Sequence, residues 1–563
     1  MRVSGEGRYD NPVGIGTVVI DIELLNLTEL RRFALNVTTI LHFFTLPSMC
    51  GVLGIMANQP VAQDMYDGLT ILQHRGQDAA GIVTYDGNSL HIKKGIGLVK
   101  EIFHSGNMGR LSGNTGIGHI RYPTCGGVGI ENAQPFMYDL PYGVTMAQNG
   151  NCFNFYEVKE QVYKEDLCRV SSDCDVEAIL HIFRSSLIKQ AHKNSNAFDI
   201  SHIWKAVRKV FTRVKGGYAI VGYVGSKGMM GFRDPHGIRP LILGKRERKD
   251  QKTEYMFASE SVVLDILGFE IVRDLEPGET IFITEEREVI SKVVLQKTFR
   301  PCIFEHVYLA RPDSIIDDIS VHKSRMRMGE YLGKKVKKAH LDIDIVMPVP
   351  DSAREAALAA AKVLKKPYRE GLIKNRYIGR TFIMPGQEIR KKNIRYKLNP
   401  IALEVKGKKV LLVDDSIVRG NTSKAIIEMV RNAGAEKVYF ASACPPLRNP
   451  CYYGIDMPST NQFIANKLTD QEIEKELGAD ALFYQDIEDL KKAVKAGNPK
   501  IKRHCMACLD GEYPTSDITP ETIKNWEDQR KKSKEQLKKI KHDELVSDAT
   551  GYESRLEVVG RRW

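Results

Sequence analysis

Two patterns of hydrophobic and polar residues divide the chain. In the first half, short apolar runs alternate with glycine-rich turns, which is typical of β-strands. We expect strands at residues 50–56, 80–85, 116–120, 143–147, 219–224 and 229–232. Helical periodicity is found at residues 65–73 and 176–188. The pattern favours two packed sheets with helices on the outside.

The second half alternates apolar strands with helices. The runs at residues 343–349 and 409–413 are apolar enough for parallel strands that are buried on both faces. A helical pattern follows each run, at residues 353–364 and 423–433. This alternation predicts a doubly wound α/β sheet. A charged segment from about residue 519 has a helical pattern and is expected to form a surface appendage.

Composition narrows the classes of protein to consider. The chain has 563 residues, of which 42% are hydrophobic and 27% charged, and this suits a globular protein with two large domains. A formal net charge of +12 fits either a nucleic-acid binder or an enzyme with anionic substrates. Basic residues are not interleaved with aromatic ones as in single-strand binders, and no helix-turn-helix is evident, so we expect no nucleic acid as a partner. Ten cysteines are too few for a disulfide scaffold.

The first 49 residues form a separate segment. Their apolar run, residues 33–46, is interrupted by polar residues and is too short to span a bilayer, so we expect no membrane association. The segment lacks the cleavage pattern of a secretory signal, and a cytoplasmic location is expected. Met49 directly precedes Cys50. Residues 1–49 are therefore expected to be absent from the mature protein, either because Met49 is the true initiator or because a propeptide is removed.

The most specific motif lies at residues 410–422 (VLLVDDSIVRGNT). A buried strand ends in Asp414 and Asp415, and a loop of small residues then leads into a helix. The backbone N–H groups and hydroxyls of residues 416–422 can hold a phosphate at this helix start. The two carboxylates can bind ribose hydroxyls or Mg²⁺. A solvated turn is the alternative, and it is disfavoured because adjacent carboxylates repel each other without a cation or ligand.

Two further segments fit a phosphate-binding site. Residues 347–355 (MPVPDSARE) follow a strand and can present backbone amides and Ser352 to a pyrophosphate. Residues 374–387 (KNRYIGRTFIMPGQ) have no regular pattern, and their basic side chains are suited to neutralising a leaving pyrophosphate. A solvated surface loop remains the alternative for each single basic residue.

Five short segments of the first half carry a second set of motifs. They are residues 50–55 (CGVLGI), 73–81 (QHRGQDAAG), 118–124 (GHIRYPT), 148–151 (QNGN) and 174–177 (CDVE). Together they resemble the glutaminase domain of N-terminal-nucleophile amidotransferases. Residues 410–422 resemble the phosphoribosyltransferase signature. From Cys50 to about Pro514, the chain thus resembles the glutamine phosphoribosylpyrophosphate amidotransferases.

This resemblance implies a fold and a reaction. It implies an αββα glutaminase domain at residues 50–298 and an α/β phosphoribosyltransferase domain at residues 299–518, between the extension 1–49 and a tail at residues 519–563. Glutamine would be hydrolysed, and its ammonia would displace pyrophosphate from C1 of phosphoribosyl pyrophosphate to give phosphoribosylamine. This is the first committed step of purine synthesis. The resemblance also implies Mg²⁺, a homo-oligomer (dimer or tetramer) and feedback inhibition by purine nucleotides.

The resemblance also assigns residues to the glutamine site. Cys50 would be the nucleophile, with its own α-amino group as the base, so it must become residue one. Asn149 and the N–H of Gly150 would form the oxyanion hole. Arg121 would pair with the carboxylate of glutamine and Asp175 with its amino group. The chain departs from the family pattern at Gln148, where the family has histidine, and at Cys174 and Val176, where it has serines.

At the second site the resemblance implies one set of residues that bind the substrate and one set that bind magnesium. The residues expected to bind phosphoribosyl pyrophosphate are Lys374, Arg376, Arg380, Asp414, Asp415, Ser416, Gly420 and Thr422. Those expected to bind magnesium are Ser352, Asp414 and Asp415. The family loop that closes over the substrate corresponds to residues 374–387, and its closure would keep water from the reacting carbon.

The remaining cysteines offer a candidate metal site. Cys505 and Cys508 form a C-x-x-C pair, which by itself suits zinc, a redox pair or coincidence. Together with Cys302 and Cys451 they match the ligands of the family branch that carries a [4Fe–4S] cluster. Zinc on the same four cysteines is the alternative.

Two other functions compete with this interpretation. One is a glutaminase joined to another acceptor, such as a sugar-phosphate aminotransferase, and the Asp414–Asp415 loop argues against it. The other is a nucleotide-sensing regulator without catalysis, which would have little use for the glutamine-site residues.

Overall fold

The computed structural model describes residues 49–122, 129–193, 197–375, 398–515 and 517–528. The strands of the first half are β1 (Gly51–Met56), β2 (Ala79–Tyr85), β3 (Leu90–Ile96), β4 (Thr115–Arg121), β5 (Phe136–Tyr138), β6 (Val144–Cys152), β7 (Gly216–Val224), β8 (Gly228–Arg233), β9 (Ile242–Arg246), β10 (Glu254–Ala258), β11 (Glu270–Asp274), β12 (Glu279–Thr284) and β13 (Val289–Val293). Its α-helices are α1 (Ala62–Ile71), α2 (Val99–Ile102), α3 (Ser105–Met108), α4 (Phe155–Asp166), α5 (Asp175–Lys193), α6 (Ile200–Arg213) and α7 (Ser261–Ile266).

The first half is built as four layers. Within the described residues, seven strands form one sheet in the order β11-β9-β10-β1-β4-β2-β3, and six form a second in the order β13-β12-β8-β7-β6-β5. The pairings within both sheets are antiparallel. Helices α1, α2 and α7 cover the outside of the first sheet, and α4, α5 and α6 cover the second.

Strand β1 shows why its sequence forms an inner layer. Its side chains alternate in direction, as they must in a strand. Val52 and Met56 pack between the two sheets. Leu53 and Ile55 face the opposite way, against α1 and α7. The αββα fold predicted for the glutaminase half is therefore confirmed.

The second half contains the remaining elements. Its strands are β14 (Ile315–Ile316), β15 (Ile319–Ser320), β16 (Ile345–Pro348), β17 (Leu372–Lys374), β18 (Leu398–Pro400), β19 (Lys409–Asp414), β20 (Lys437–Ser442) and β21 (Ala481–Tyr484). Its α-helices are α8 (Val321–Lys337), α9 (Arg354–Leu364), α10 (Ala402–Val405), α11 (Asn421–Asn432), α12 (Ile464–Lys467), α13 (Asp470–Leu477), α14 (Ile487–Lys495) and α15 (Ala507–Asp510). Among the helices in the described ranges, none combines the length and the apolar character needed to cross a membrane.

The core of the second half is a parallel sheet. Strands β16, β19, β20 and β21 pair in that order, each parallel to the next. Apolar side chains leave β19 on both faces, with Val410 and Leu412 on one and Leu411 and Val413 on the other. Helices α11 and α13 cover the first face, and α8 and α9 cover the second. The predicted α/β fold with a parallel sheet is confirmed.

A buried ion-pair network joins the two halves. Arg75, which follows α1, contacts Glu260 through Nε and donates from Nη2 to Glu305 at 2.6 Å. Arg239 reaches the other oxygen of Glu305 at 3.3 Å. Burial alone would raise the pKa of Glu260, but Arg75 and His74 outweigh it and hold this pKa well below its ordinary value. Charges from both halves are thus paired away from water.

Neutralising Glu305 should destabilise this junction. In Glu305→Gln, the buried Arg239 loses its carboxylate partner, and we expect the apparent free energy of unfolding in urea to fall by about 3 kcal/mol. Glu160→Gln is the matched control, because the Lys164–Glu160 pair is exposed and should contribute nothing measurable. Equal urea midpoints for Glu305→Gln and the parent chain would contradict the prediction.

Candidate functional site

Cys50 directly precedes β1, the central strand of the seven-stranded sheet. Its thiol donates to the carbonyl of Tyr122 at 3.5 Å, and the pairing of Gly51 with Ile120 holds β1 beside β4. Only 6% of the residue is exposed. Met49, which precedes it, is fully buried and donates its N–H to the carbonyl of Arg75 at 3.1 Å.

Charged side chains surround the Cys50 thiol. Burial raises its pKa to about 11; the positive charge of Arg121 lowers it, and the carboxylates of Asp175 and Asp78 raise it. Two of the residues predicted for the glutamine site, Arg121 and Asp175, therefore lie within electrostatic reach of the Cys50 thiol. The site can hold a molecule that carries both a carboxylate and an ammonium group.

Asp175 is the first residue of α5 and is held by β6. Its Oδ2 accepts from the N–H of Cys152 at 2.7 Å and from the side-chain amide of Gln148 at 3.0 Å. Burial raises the pKa of Asp175, and these hydrogen bonds partly offset that rise. The predicted departure from the family pattern at position 148 thus lies in direct contact with a predicted site residue.

The middle of β6 carries the two predicted oxyanion donors. N–H groups alternate in direction along a strand, so the N–H of Gly150 is directed to the same side as those of Gln148 and Cys152. The N–H of Gln148 donates to the side chain of Gln134, and the N–H of Cys152 donates to the side chain of Asp175. The neighbouring Asn149 is fully buried, and its amide lies 3.4 Å from the hydroxyl of Ser259.

A segment of the second half packs on this part of β6. The amide of Asn151 donates to the carbonyl of Tyr452 at 3.0 Å. Gly454 has φ +104°, and a Cβ on it would lie 2.7 Å from the Cα of Gly150. The strand that bears the predicted oxyanion donors is therefore supported by residues 452–454, which also adjoin Cys451.

The second predicted site lies at the carboxyl end of β19. Asp414 and Asp415 are both buried, and the N–H of Asp415 donates to Asp414 Oδ1 at 2.9 Å. Burial and mutual repulsion raise the pKa of Asp414 well above its ordinary value, and burial also raises that of Asp415. Such a pair favours a cation or hydrogen-bond donors as its ligand.

Hydroxyl groups and a helix start complete this site. Asp415 accepts from the hydroxyl of Ser352, which lies beyond β16, and from that of Ser416 at 2.6 Å. Gly420 has φ +79° and directly precedes α11, whose first turn contains Thr422. Lys374 forms an ion pair with Asp351 at 3.0 Å, next to Ser352. Two predicted residues, Arg376 and Arg380, lie outside the described residues.

The four predicted ligand cysteines come together from distant segments. The backbones of Cys302 and Cys505 pair in a parallel β-bridge. The carbonyl of Cys508 accepts hydrogen bonds from the N–H groups of Arg448 and Asn449, which lie just before Cys451 in the chain. Burial raises the pKa of Cys508 well above its ordinary value, and the thiols of Cys302, Cys451, Cys444 and Cys505 raise it further. The four predicted ligands therefore lie around one hydrophobic cluster, together with Cys444.

Across the described ranges, no group of three or more His, Cys, Asp or Glu residues is arranged to hold a metal ion. Zinc on four cysteines needs all four sulfurs to converge on one point, about 2.3 Å from it. In a four-iron cluster each thiolate binds a different iron, so the sulfurs stay further apart. Four thiolates are the chemical type of ligand that either zinc or a four-iron cluster takes.

Several residues of the glutamine site were missed at the sequence level. Ser259 accepts from the N–H of Val52 at 3.0 Å and contacts Asn149, and nothing in its local sequence marks it. Gln134 accepts from the N–H of Gln148 on β6 and donates to the sulfur of Cys174. Only the tertiary fold reveals this link. Asp78 is different, because it stands inside the motif at residues 73–81 and could have been named.

Two protein-family models match the chain. The model described as a glutamine amidotransferase domain matches residues 128–265. The model described as a phosphoribosyl transferase domain matches residues 319–476. The first match begins after Cys50, and the second includes the Asp414–Asp415 site.

Curated relatives match over most of the chain, and each is named amidophosphoribosyltransferase. The relative from Pasteurella multocida (strain Pm70) is 50% identical over 487 residues, which cover 86% of this chain and 96% of that protein. The relative from Escherichia coli (strain K12) is 49% identical, with 84% and 93% covered. That from Saccharomyces cerevisiae is 45% identical, with 83% and 92% covered.

Solved structures agree with the sequence relatives. The glutamine phosphoribosylpyrophosphate amidotransferase from B. subtilis, complexed with ADP and GMP, is 36% identical with a TM-score of 0.73, and the match covers 84% of this chain and all of that one. A structure described as the allosteric regulatory enzyme of purine biosynthesis is 37% identical with a TM-score of 0.74, covering 84% and 97%.

Proposed function

The chain belongs to the amidophosphoribosyltransferases, and we propose that it releases ammonia from glutamine at Cys50 and transfers it to phosphoribosyl pyrophosphate at the Asp414–Asp415 site. It is a glutamine-dependent glycosyltransferase of purine biosynthesis. The residues are assigned on one observation: the same chain contains the Cys50 site and the Asp414–Asp415 pair. Cys50 lies within reach of Arg121 and Asp175, and the paired carboxylates lie at the end of β19.

At the first site, glutamine would react in two steps. The Cys50 thiolate attacks the side-chain amide carbon, and the tetrahedral intermediate collapses to a thioester and ammonia. Water then hydrolyses the thioester to glutamate and regenerates the thiol. Arg121 would pair with the α-carboxylate of glutamine, and Asp175 would accept from its α-ammonium group.

The amide oxygen of glutamine becomes an oxyanion in the intermediate and needs donors. The N–H of Gly150 would be one of them. The amide of Asn149 would be the other. In the structure, Nδ2 of Asn149 faces the Ser259 hydroxyl at 3.4 Å. That hydroxyl accepts from the N–H of Val52 and has its own proton, so turning the amide over, with Ser259 donating to Oδ1, would free Nδ2 for the substrate.

At the second site, ammonia would attack C1 of phosphoribosyl pyrophosphate and pyrophosphate would leave. Asp414 and Asp415 would accept hydrogen bonds from the ribose hydroxyls. The N–H groups of residues 416–422, including Ser416, Gly420 and Thr422, would hold the 5′-phosphate at the start of α11. The oxygens of Ser352, Asp414 and Asp415 suit Mg²⁺, which when bound would offset the charge of the pyrophosphate. The positive charges of Lys374, Arg376 and Arg380 would stabilise the pyrophosphate as it leaves.

The base for Cys50 would be its own α-amino group. An α-amine has an ordinary pKa near 8, which suits proton transfer at neutral pH. The mechanism therefore needs a chain that begins at Cys50, without residues 1–49. N-terminal sequencing of active enzyme tests this requirement, and active chains that still begin at Met1 would contradict it.

Thiol reactivity provides a pH test of the same step. With residues 1–49 attached, alkylation of Cys50 by iodoacetamide should be slow at pH 8 and rise about tenfold per pH unit up to about pH 11. The thiolate is the reactive form, and burial raises the pKa of Cys50 to about 11. A chain that begins at Cys50 should react faster at pH 8, because its α-amine can take the thiol proton.

Peptide mass spectrometry of timed samples measures this alkylation. Cys444 is a matched internal control, since it is fully buried and should react equally slowly in both forms. The same pH profile for Cys50 in both forms would remove the α-amine from the mechanism.

For the four cysteines, we propose a [4Fe–4S] cluster bound by Cys302, Cys451, Cys505 and Cys508. The guanidinium of Arg239 is buried and lies 3.9 Å from the sulfur of Cys451, where it would offset the negative charge of a thiolate cluster. The role of the cluster would be to join the three chain segments that bear these residues. Iron and sulfide analysis with a visible absorption spectrum tests it. Stoichiometric zinc, or no metal in anaerobically purified protein, would overturn it.

Regulation and assembly are proposed from the relatives. Since the B. subtilis relative was solved with ADP and GMP, we propose that purine nucleotides inhibit this enzyme. We also propose a cytoplasmic homo-oligomer, a dimer or a tetramer. Initial rates with added nucleotides and the native mass of the purified protein test these two points.

A single assay series tests the proposed function. Purified protein should release pyrophosphate from phosphoribosyl pyrophosphate with either glutamine or ammonium chloride, and glutamate should form only with glutamine. A sugar phosphate in place of phosphoribosyl pyrophosphate should not be aminated. Amination of the sugar phosphate without pyrophosphate release would favour the sugar-phosphate aminotransferase instead.

A further inference from the structure

We propose that the side-chain amide of Gln148 positions Asp175 to bind the α-ammonium group of glutamine. The proposal rests on the role that the proposed function gives to Asp175. Gln148 lies on β6, directly before the oxyanion residues Asn149 and Gly150. It would be a positioning residue, because its donor acts on the substrate through Asp175.

The contact between the two side chains is direct and buried. The Nε2 of Gln148 lies 3.0 Å from Oδ2 of Asp175, and Gln148 is only 1% exposed. An ionised carboxylate can only accept, so the amide nitrogen must be the group that faces it. The N–H of Cys152 reaches the same oxygen at 2.7 Å. Two donors on one oxygen fix the plane of the carboxylate.

Gln148 is itself held in place by its backbone. Its N–H donates to Oε1 of Gln134 at 2.7 Å, and its carbonyl lies 3.1 Å from Nε2 of His119. The other end of the Gln134 amide donates to the sulfur of Cys174 at 3.5 Å, one residue before Asp175. A side-chain network therefore sets the distance between β6 and the start of α5, and Gln148 completes it.

The contact between Gln148 and Asp175 affects the charge of Asp175. A buried carboxylate tends to take up a proton, and the neutral acid would not attract an ammonium group. The donated hydrogen bond favours the ionised form, and an amide keeps this donor at every pH because it does not titrate.

Removing the donor should weaken the binding of glutamine more than its chemistry. In Gln148→Leu we expect KM for glutamine to rise about tenfold, the loss expected for a hydrogen bond to a charged group, with kcat changed less than threefold. Gln148→His keeps a ring N–H and is expected to restore most of the affinity. Pyrophosphate release with ammonium chloride reports the folding of the second half in each variant.

Two alkylating probes separate positioning from a general structural role. A diazoketone analogue of glutamine carries the α-ammonium group, whereas iodoacetamide does not, and both react with Cys50. We expect Gln148→Leu to slow labelling by the glutamine analogue about tenfold and labelling by iodoacetamide less than twofold. Equal slowing with both probes would mean that the substitution disturbs the site as a whole, and it would overturn the proposal.

Asp175→Asn distinguishes failure of this inference from failure of the proposed function. If Asp175→Asn leaves KM for glutamine unchanged, then the role given to Asp175 is wrong and the inference fails with it. If Asp175→Asn raises KM but Gln148→Leu does not, only the positioning role is wrong. A rise in KM in both variants, with recovery in Gln148→His, supports the proposal.

Discussion

Cys50→Ala is expected to abolish glutamine-dependent formation of phosphoribosylamine, with a loss of at least about 10³-fold. The variant lacks the sulfur that forms the thioester. Ammonia-dependent synthesis should stay within about twofold of the parent, because that step uses the Asp414–Asp415 site. The measurement is the initial rate of pyrophosphate release with each nitrogen source.

The control for this variant is another thiol of the same domain. Cys168 follows α4 and is partly exposed, and its sulfur contacts the carbonyl of Asp166. Cys168→Ala should leave both rates unchanged. Substantial glutamine-dependent turnover in Cys50→Ala would sink the central hypothesis, whereas loss of both activities would point to misfolding.

Asp415→Asn is expected to have the second largest effect. The rate should fall at least about 10²-fold with either nitrogen source, because the substitution removes a charge where the ribose and the cation are proposed to bind. Asn keeps the size of the side chain and one oxygen acceptor. Glutamine hydrolysis at Cys50, measured as glutamate release, should remain detectable.

The same variant should gain stability while it loses activity. Burial raises the pKa of Asp415, which means that the folded protein disfavours the ionised group. The stability linked to this carboxyl is present at low pH and is lost as the pH rises through its raised pKa. At neutral pH without Mg²⁺, Asp415→Asn should therefore have a higher Tm than the parent.

An acid at the opposite end of the same sheet serves as the control. Asp344 accepts from the N–H of Lys409 at 2.8 Å, at the start of β19 rather than at its end. Asp344→Asn should leave the catalytic rate within about twofold and should lower Tm, because it weakens a hydrogen bond. Normal ammonia-dependent rates in Asp415→Asn would contradict the role assigned to the carboxylate pair.

Local patterns predicted packed sheets in the first half and a parallel α/β sheet in the second, and the family resemblance supplied the αββα architecture. Strand β19 was expected at residues 409–413 and is found at Lys409–Asp414, because a strand covered on both faces needs a continuous apolar run. Helix α5 was expected at residues 176–188 and extends over Asp175–Lys193. The extra turn lies at the C-terminal end of the helix, where basic residues interrupt the helical repeat of apolar residues.

The sites could be predicted only as far as their chemistry is local. Asp414 and Asp415 are adjacent in sequence, so their repulsion and their place at a strand end can be read directly. Ser259 and Gln134 act on the glutamine site through tertiary contacts, and neither has a sequence pattern that marks it. The bond between Asn151 and Tyr452 joins residues separated by 301 positions, and no local pattern predicts it.

The packing of Gly454 on Gly150 limits how this protein can change over generations. Gly454 fits because it carries no Cβ, so a larger residue at this position requires a matching change around Gly150 in the other half. A glutaminase module carried into another gene without residues 452–454 would lose the support beneath β6. We therefore expect exchange between distant lineages to preserve the two halves together.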